Sequence, residues 1–342
     1  MCDTEPTVTL RRKGASLSEI CSCRDIDTLM AAGERTAGEK QRAMFALFAG
    51  ATGIGFAPIL VRFSQVGPSA TAAWRILLAL PILWVLVATE RRHGEQPRAA
   101  VDFKFLAIAG LFFTGDLALW HWSLQITTVA NSTLLTNFAP IFVTTGACLL
   151  LGERVTKQFV IGLGLAIGGA ALLVMQSISL STRQMWGDLL AIVTAAVYAG
   201  YLLSVKGLRR RFSTITIMAW SGLVSCAALF VVAFCSGEKI LPATASGWRV
   251  LLALAIISHV GGQTLIAFAL GHLPASFSSV SLLLQPVIAA LLAAAMLNEP
   301  LTAAQILGGL ITLAGVAIAS RSRVAGAAKA GITSAATLDF KR

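Results

Sequence analysis

Few residues in this chain carry chemistry, and those few stand in apolar company. Asp116 lies in LFFTGDLALWHW and Arg75 in ATAAWRILLAL. A carboxylate and a guanidinium so placed can neutralise one another, grip a charged molecule or, at the acid, pass a proton. His259 and Gln263 are one helical turn apart and share a face. His121 stands between Trp120 and Trp122. An imidazole in such surroundings is either a hydrogen-bonded tie between helices or a proton carrier. Thr133, Thr136, Asn137, Ser281 and Gln285 add neutral polar groups. The rings of Trp74, Trp120, Tyr198, Tyr201 and Trp220 add flat surfaces on which a solute can stack.

The elements that must hold these groups are set by composition. Of 342 residues, 56% are hydrophobic and 13% charged, more apolar surface than a soluble core requires. Windows such as 43–61, 76–89 and 261–297 contain no Asp, Glu, Lys or Arg. Stretches of about 20 apolar residues are membrane spans. The sequence predicts ten, at 43–63, 70–89, 103–124, 129–151, 158–176, 186–206, 214–235, 248–270, 276–297 and 303–320. The fold class is an all-α integral membrane protein. Asp116 then sits inside the third span, where a carboxylate costs roughly 2.5–3.5 kcal/mol unless it is paired or faces water. Arg75, at a similar depth in the second span, is its expected partner. The pair is either a static tie between those spans or a site for a charged solute or proton.

Residues 1–42 are polar and of mixed charge, and are expected to form a disordered tail. Met30 opens a short basic lead, MAAGERTAGEKQRAM, and is an expected start of translation; peptides from residues 2–29 in mass spectrometry would dismiss it. Residues 321–342 form a second tail. The net charge of +11 does not point to nucleic acid, because the basic residues gather on alternate connections: 91–104, 154–157, 206–211 and 321–323, along with residues 35–42. The other connections hold only Arg62, Arg183, Lys239 and Arg249. By the positive-inside rule both termini are cytoplasmic, and Trp122, Trp186 and Trp248 fall at the outer interface. Cys148, Cys226 and Cys235 lie in spans as small apolar residues, and the CSC pair at 21–23 lacks metal-ligand spacing. No metal site and no cofactor is expected.

The order of the spans carries a repeat. An offset of 146 matches Ser132, Pro140, Leu151, Glu153, Thr156, Gly162 and Gly169 to Ser278, Pro286, Leu297, Glu299, Thr302, Gly308 and Gly315. It also matches Ala73–Trp74 to Ala219–Trp220. The chain thus divides into two five-helix repeats, 43–176 and 186–320. Five is odd, so the second enters the membrane from the opposite side: the repeats are inverted, the build of many secondary transporters. Pro140 and Pro286 each remove a helix hydrogen bond near mid-membrane and are expected kinks or hinges. Glu153 and Glu299 end helices, each three residues before a Thr, and Thr302 with Gln305 fits a capping box. Gly164 and Gly168 form a GxxxG suited to close helix contact, including contact between two subunits of a homodimer.

The APIFV…LLLGER segment and the QPVIAALLAAAMLNEP-LT-x-x-Q-x-x-G segment, on ten spans in two inverted halves, resemble EamA-type members of the drug/metabolite transporter superfamily. The resemblance covers residues 43–320 and implies a bacterial inner-membrane carrier, often an exporter of amino acids, metabolites or toxic compounds. The expected partners are a small-molecule solute and the lipid bilayer. The expected activity is alternating-access transport, by export with proton coupling or by facilitative import or exchange. An intramembrane enzyme is the distant alternative. It lacks a second central Asp, since Asp188 sits at a span edge, and no HExxH, GxSxG, Walker A or dinucleotide motif occurs.

Overall fold

The computed structural model describes residues 23–90, 97–127, 132, 135–174, 184–297 and 301–338, and every regular element among them is helical. Residues 1–42 and 43–342 form separate compact units. The first helix starts at Cys23, so residues 23–42 of the expected tail are helical. Glu299 and Thr133 lie outside the described residues.

The first half holds α1 (Cys23–Gly55), α2 (Ala57–Arg62), α3 (Pro68–Glu90), α4 (Ala100–Ile126), α5 (Ala139–Leu151) and α6 (Lys157–Val174). The second holds α7 (Gln184–Leu208), α8 (Thr214–Cys235) and α9 (Ala245–Ala253), then a π-helical stretch (Leu254–Gln263) that runs on into α10 (Thr264–His272). It closes with α11 (Ala275–Ser281), α12 (Leu284–Leu297) and α13 (Ala303–Leu338). Eight described stretches are long and apolar enough to cross a membrane, with Ala245–His272 counted as one. Two shorter apolar helices, Ala139–Leu151 and Lys157–Leu172, fall in the fourth and fifth expected windows.

Local chemistry sets the boundaries. Ser213 and Thr244 accept from the backbone N–H groups of Thr216 and Gly247, capping α8 and α9. Gly152, at φ 66°, ends α5 in a conformation that favours glycine. The reciprocal bonds of a capping box join Thr302 and Gln305 at 2.9 and 3.3 Å. Pro140 stands in the first turn of α5 after a turn at 137–138, and Pro286 in the first turn of α12 after a turn at 282–283. The chain therefore breaks and restarts at these prolines rather than bending through them. A proline is tolerated there because the first N–H groups of a helix have no partner within it.

Helix bounds recur at the offset of 146. Adding it to Pro68–Glu90 gives 214–236, against α8 at Thr214–Cys235. Adding it to Ala100–Ile126 gives 246–272, against Ala245–His272. Contacts recur as well. Trp74 meets Phe230 edge-on at 5.6 Å, and their counterparts Trp220 and Trp84 meet edge-on at 5.0 Å. A Cβ on Gly162 would strike the Gly315 carbonyl; one on Gly169, the counterpart of Gly315, would strike the carbonyl of Gly308, the counterpart of Gly162. Contact order falls along one helix as it rises along the other, so α3 and α8 are antiparallel, as are α6 and α13. Three counterpart pairs touch each other. The Thr312 hydroxyl donates to the Ala166 carbonyl at 3.4 Å. A Cβ on Gly222 would lie 3.5 Å from Ile76, and the Phe113 ring lies 5.9 Å from His259. Each of these contacts joins a residue to the one 146 positions away.

Candidate functional site

Around the Phe113/His259 contact the chain gathers polar side chains. Phe113, on α4, is the hub: its ring stacks on Tyr201 of α7 at 4.8 Å and tilts toward His259 of the π-helical stretch at 5.9 Å. The Arg75 guanidinium, from α3, stands over the same ring at 5.8 Å, the geometry of a cation–π contact. Tyr198 lies 6.1 Å from Tyr201. The Gln263 amide donates to the Tyr201 hydroxyl at 3.1 Å, and that hydroxyl donates to the Met218 sulfur at 3.7 Å. Five elements of both halves thus fix one aromatic wall.

Asp116 and Arg75 are both partly buried and within electrostatic range of one another, as Arg75 is of Tyr198 and Tyr201. The expected partnership is therefore spatial. Among the described residues, however, no hydrogen bond or ion pair within 4.0 Å joins the two, and the Arg75 Nε is buried without a partner. The cation rests on the Phe113 face instead. His259 is 1% exposed, and neither of its ring nitrogens has a partner. Gln263 shares its surroundings, as the spacing required. Imidazoles and guanidinium groups buried without a partner are costly, and such exceptions call for a reason.

The π-helical stretch under His259 and Gln263 has no counterpart in α4, an uninterrupted helix. Wide-turn helical insertions are frequent at functional sites. Nothing in the apolar periodicity marks this one. Asp116 aligns with Gly262, Arg75 with Ser221, Tyr201 with Gly55 and Gln263 with Leu117. A symmetric scaffold therefore holds one-sided chemistry, and only comparison across the repeat makes that visible. Phe113 was missed as a site residue, although its offset to His259 was available to find it.

The other expected residues divide. His121 is buried beside Trp120, with ring centroids 5.0 Å apart; the Leu117 carbonyl lies near it without meeting hydrogen-bond geometry. Both rings lie further along α4 than Asp116. Asn137, in the break before α5, and Gln285, at the start of α12, each hold a buried amide nitrogen without a partner. Thr136 and Ser281 donate to the Ser132 and Phe277 carbonyls, each four residues earlier in the chain, and so make local ties. Trp74 and Trp220 are not part of the wall. Trp74 donates to the Ile240 carbonyl at 2.7 Å and meets Trp248, while Trp220 meets Trp84 and Phe103. They close packing at the two ends of the α3/α8 pair.

Glu153 does more than end a turn. Its carboxylate accepts from the Ala275 and Ser276 N–H groups at 2.6 and 3.1 Å and from the Ser276 hydroxyl at 2.6 Å, capping α11 in the other half. Gly164 and Gly168 have nothing within 4 Å of a built Cβ, so that GxxxG faces away from the α6/α13 contact.

A sequence model of the EamA-like transporter family matches residues 41–175 and again 185–321. An uncharacterized transporter of Bacillus subtilis, YyaM, is 26% identical over 293 residues, 81% of this chain and 91% of that one. A probable terminal-alkyne amino-acid exporter of Streptantibioticus cattleyicolor is 29% identical over 66% of this chain and 76% of its own length. The pseudopaline exporter CntI of Pseudomonas aeruginosa is 24% identical over 52% of this chain and 60% of its own length. One crystal structure superimposes with a TM-score of 0.68 at 18% identity, covering 82% of this chain and 97% of that one, a likeness of fold.

Proposed function

Since the chain belongs to the EamA-like transporter family, we propose that it is a secondary carrier of ten spans in two inverted five-helix halves, exporting a small organic solute across the cytoplasmic membrane by alternating access. The two short apolar helices complete the ten, and both termini are cytoplasmic. The observation that carries this reading is the set of counterpart contacts at Ala166/Thr312, Ile76/Gly222 and Phe113/His259. Antiparallel counterparts that meet on a two-fold axis are what inverted repeats require, and an axis lying in the membrane plane puts its residues near the midplane. Rocking one half against the other then exposes that centre to each side in turn.

The solute binds at Arg75, Asp116, His259 and Gln263, against Phe113, Tyr198 and Tyr201, with the broken-helix residues Asn137 and Gln285 supplying further donors. A free cation and a nearby carboxylate that do not satisfy each other suit an amino acid or an amino-acid derivative, the class named for the Streptantibioticus relative. Asp116 and His259 are the groups through which an inward proton can be exchanged for solute. Pro140 and Pro286, where α5 and α12 restart, serve as hinges. The test is flux in proteoliposomes with a panel of amino acids. Saturable uptake stimulated by solute on the far side is expected; unsaturated flux that follows the voltage linearly would identify a pore instead.

A further inference from the structure

The local symmetry also pairs contacts at the ends of the bundle. Arg211 lies in the turn between α7 and α8, and Gln65 in the corresponding turn between α2 and α3; 211 less 146 is 65. Each reaches the first turn of a helix in the other half. The Arg211 Nη1 donates to the Asp102 carboxylate of α4 at 2.7 Å. The Gln65 amide donates to the Thr244 hydroxyl at 2.8 Å, which donates back to the Gln65 carbonyl at 3.0 Å; Ser246 lies 3.5 Å from the same amide. Asp102 plus 146 is 248, two residues beyond Ser246, so both partners open counterpart helices.

The contacts beside them also join the start of one of α3 and α8 to the end of the other, though not at positions 146 apart. Ser213 donates to the Glu90 carboxylate next to Arg211, and Glu238 accepts from the Ala70 N–H at 2.9 Å next to Gln65. Because α3 starts at Pro68, just after Gln65, and ends at Glu90, the two sets lie at opposite ends of the bundle. They differ in chemistry. The Asp102/Arg211 contact is an ion pair between a carboxylate side chain that is 4% exposed, which also accepts from the Arg98 and Ala99 N–H groups, and an Arg211 side chain that is 61% exposed. The Gln65 contact is neutral and exposed. Charge-assisted hydrogen bonds are roughly twice as strong as neutral ones.

We infer that these are equivalent latches at the two mouths of the carrier, and that their unequal strength biases the resting protein to close on the Asp102/Arg211 side and open on the Gln65 side. The inference rests on the alternating-access reading. In two-fold related gates, identical latches leave the two states balanced; an ion pair at one alone tips them. That bias is screened by salt at the charged mouth only.

The test uses the full chain with its native cysteines replaced and a reporter at Ser221→Cys, the counterpart of Arg75, labelled by a membrane-impermeant maleimide from each face. Three proteins are compared: the parent latch, Arg211→Gln, and a swap carrying Arg211→Gln, Gln65→Arg and Ser246→Asp. The parent is expected to label several-fold faster from the Gln65 face. Arg211→Gln, or 1 M NaCl on the parent, should narrow the ratio, and the swap should reverse it. A ratio that is one-sided in the parent and unmoved in both variants, each folded by thermal-shift measurement, overturns the latch alone. Rapid labelling from both faces in every protein removes the carrier reading and the latch with it.

Discussion

At the scale of single residues, the site is defined by what its polar groups lack. Arg75 leans on Phe113 without an ion pair, and His259 is buried with neither nitrogen bonded to a protein group. If Arg75 supplies the charge that holds the solute, Arg75→Gln should raise the apparent KM by about 10- to 100-fold, the worth of one hydrogen bond to a charged group. Arg75→Lys should recover little, because a point charge does not reproduce a planar fork. Initial rates across solute concentration measure both. Asp116→Asn should abolish the pH dependence of transport while the protein still folds; a pH profile unchanged in the variant would remove Asp116 from coupling. Tyr201→Phe leaves the buried Gln263 amide without its acceptor and should cost about 1–3 kcal/mol, read in chemical unfolding. Depth alone brought Arg75 and Asp116 together from sequence. The cation–π seat was not legible, because it depends on a ring from a third position whose type says nothing about what lies over it.

At the scale of elements, packing explains which glycines matter. Gly315 meets the Gly162 carbonyl and the Ala166 backbone, so Gly315→Ala must push α6 and α13 apart and should cost about 1–3 kcal/mol. Gly164→Ala, with nothing within 4 Å, should be neutral or slightly stabilising, since alanine is the better helix former. Thermal unfolding of the two variants in one detergent separates them. Glu153→Ala removes the acceptor for two N–H groups of α11 and should cost about 1 kcal/mol. Apolar windows, prolines and capping residues made the helices and their ends readable. The π-helical stretch was not, since its wide turns come from backbone hydrogen bonding that leaves no mark on the side-chain pattern. Nor did the sequence reveal that Glu153 caps a helix of the other half, a contact spanning more than a hundred residues.

At the scale of the whole molecule, a repeated scaffold holds chemistry that is not repeated. The repeat was legible because Pro140 and Pro286, Glu153 and Glu299, and the paired glycines recur without a single gap. The site was legible only in part, because its polar residues align with Ser, Gly, Leu, Ala and Phe in the other half and so carry no repeat signal. Inversion is the feature on which the carrier account turns, and one labelling experiment addresses it. Val155 and Leu301 are counterparts, 155 and 146 giving 301, each following the helix that restarts at a proline. Single cysteines at these positions, in a background without others, are exposed to an impermeant thiol reagent in sealed right-side-out and inside-out vesicles. The account predicts reaction of Val155→Cys from the cytoplasmic face and of Leu301→Cys from the outer face. Reaction of both from one face would contradict it.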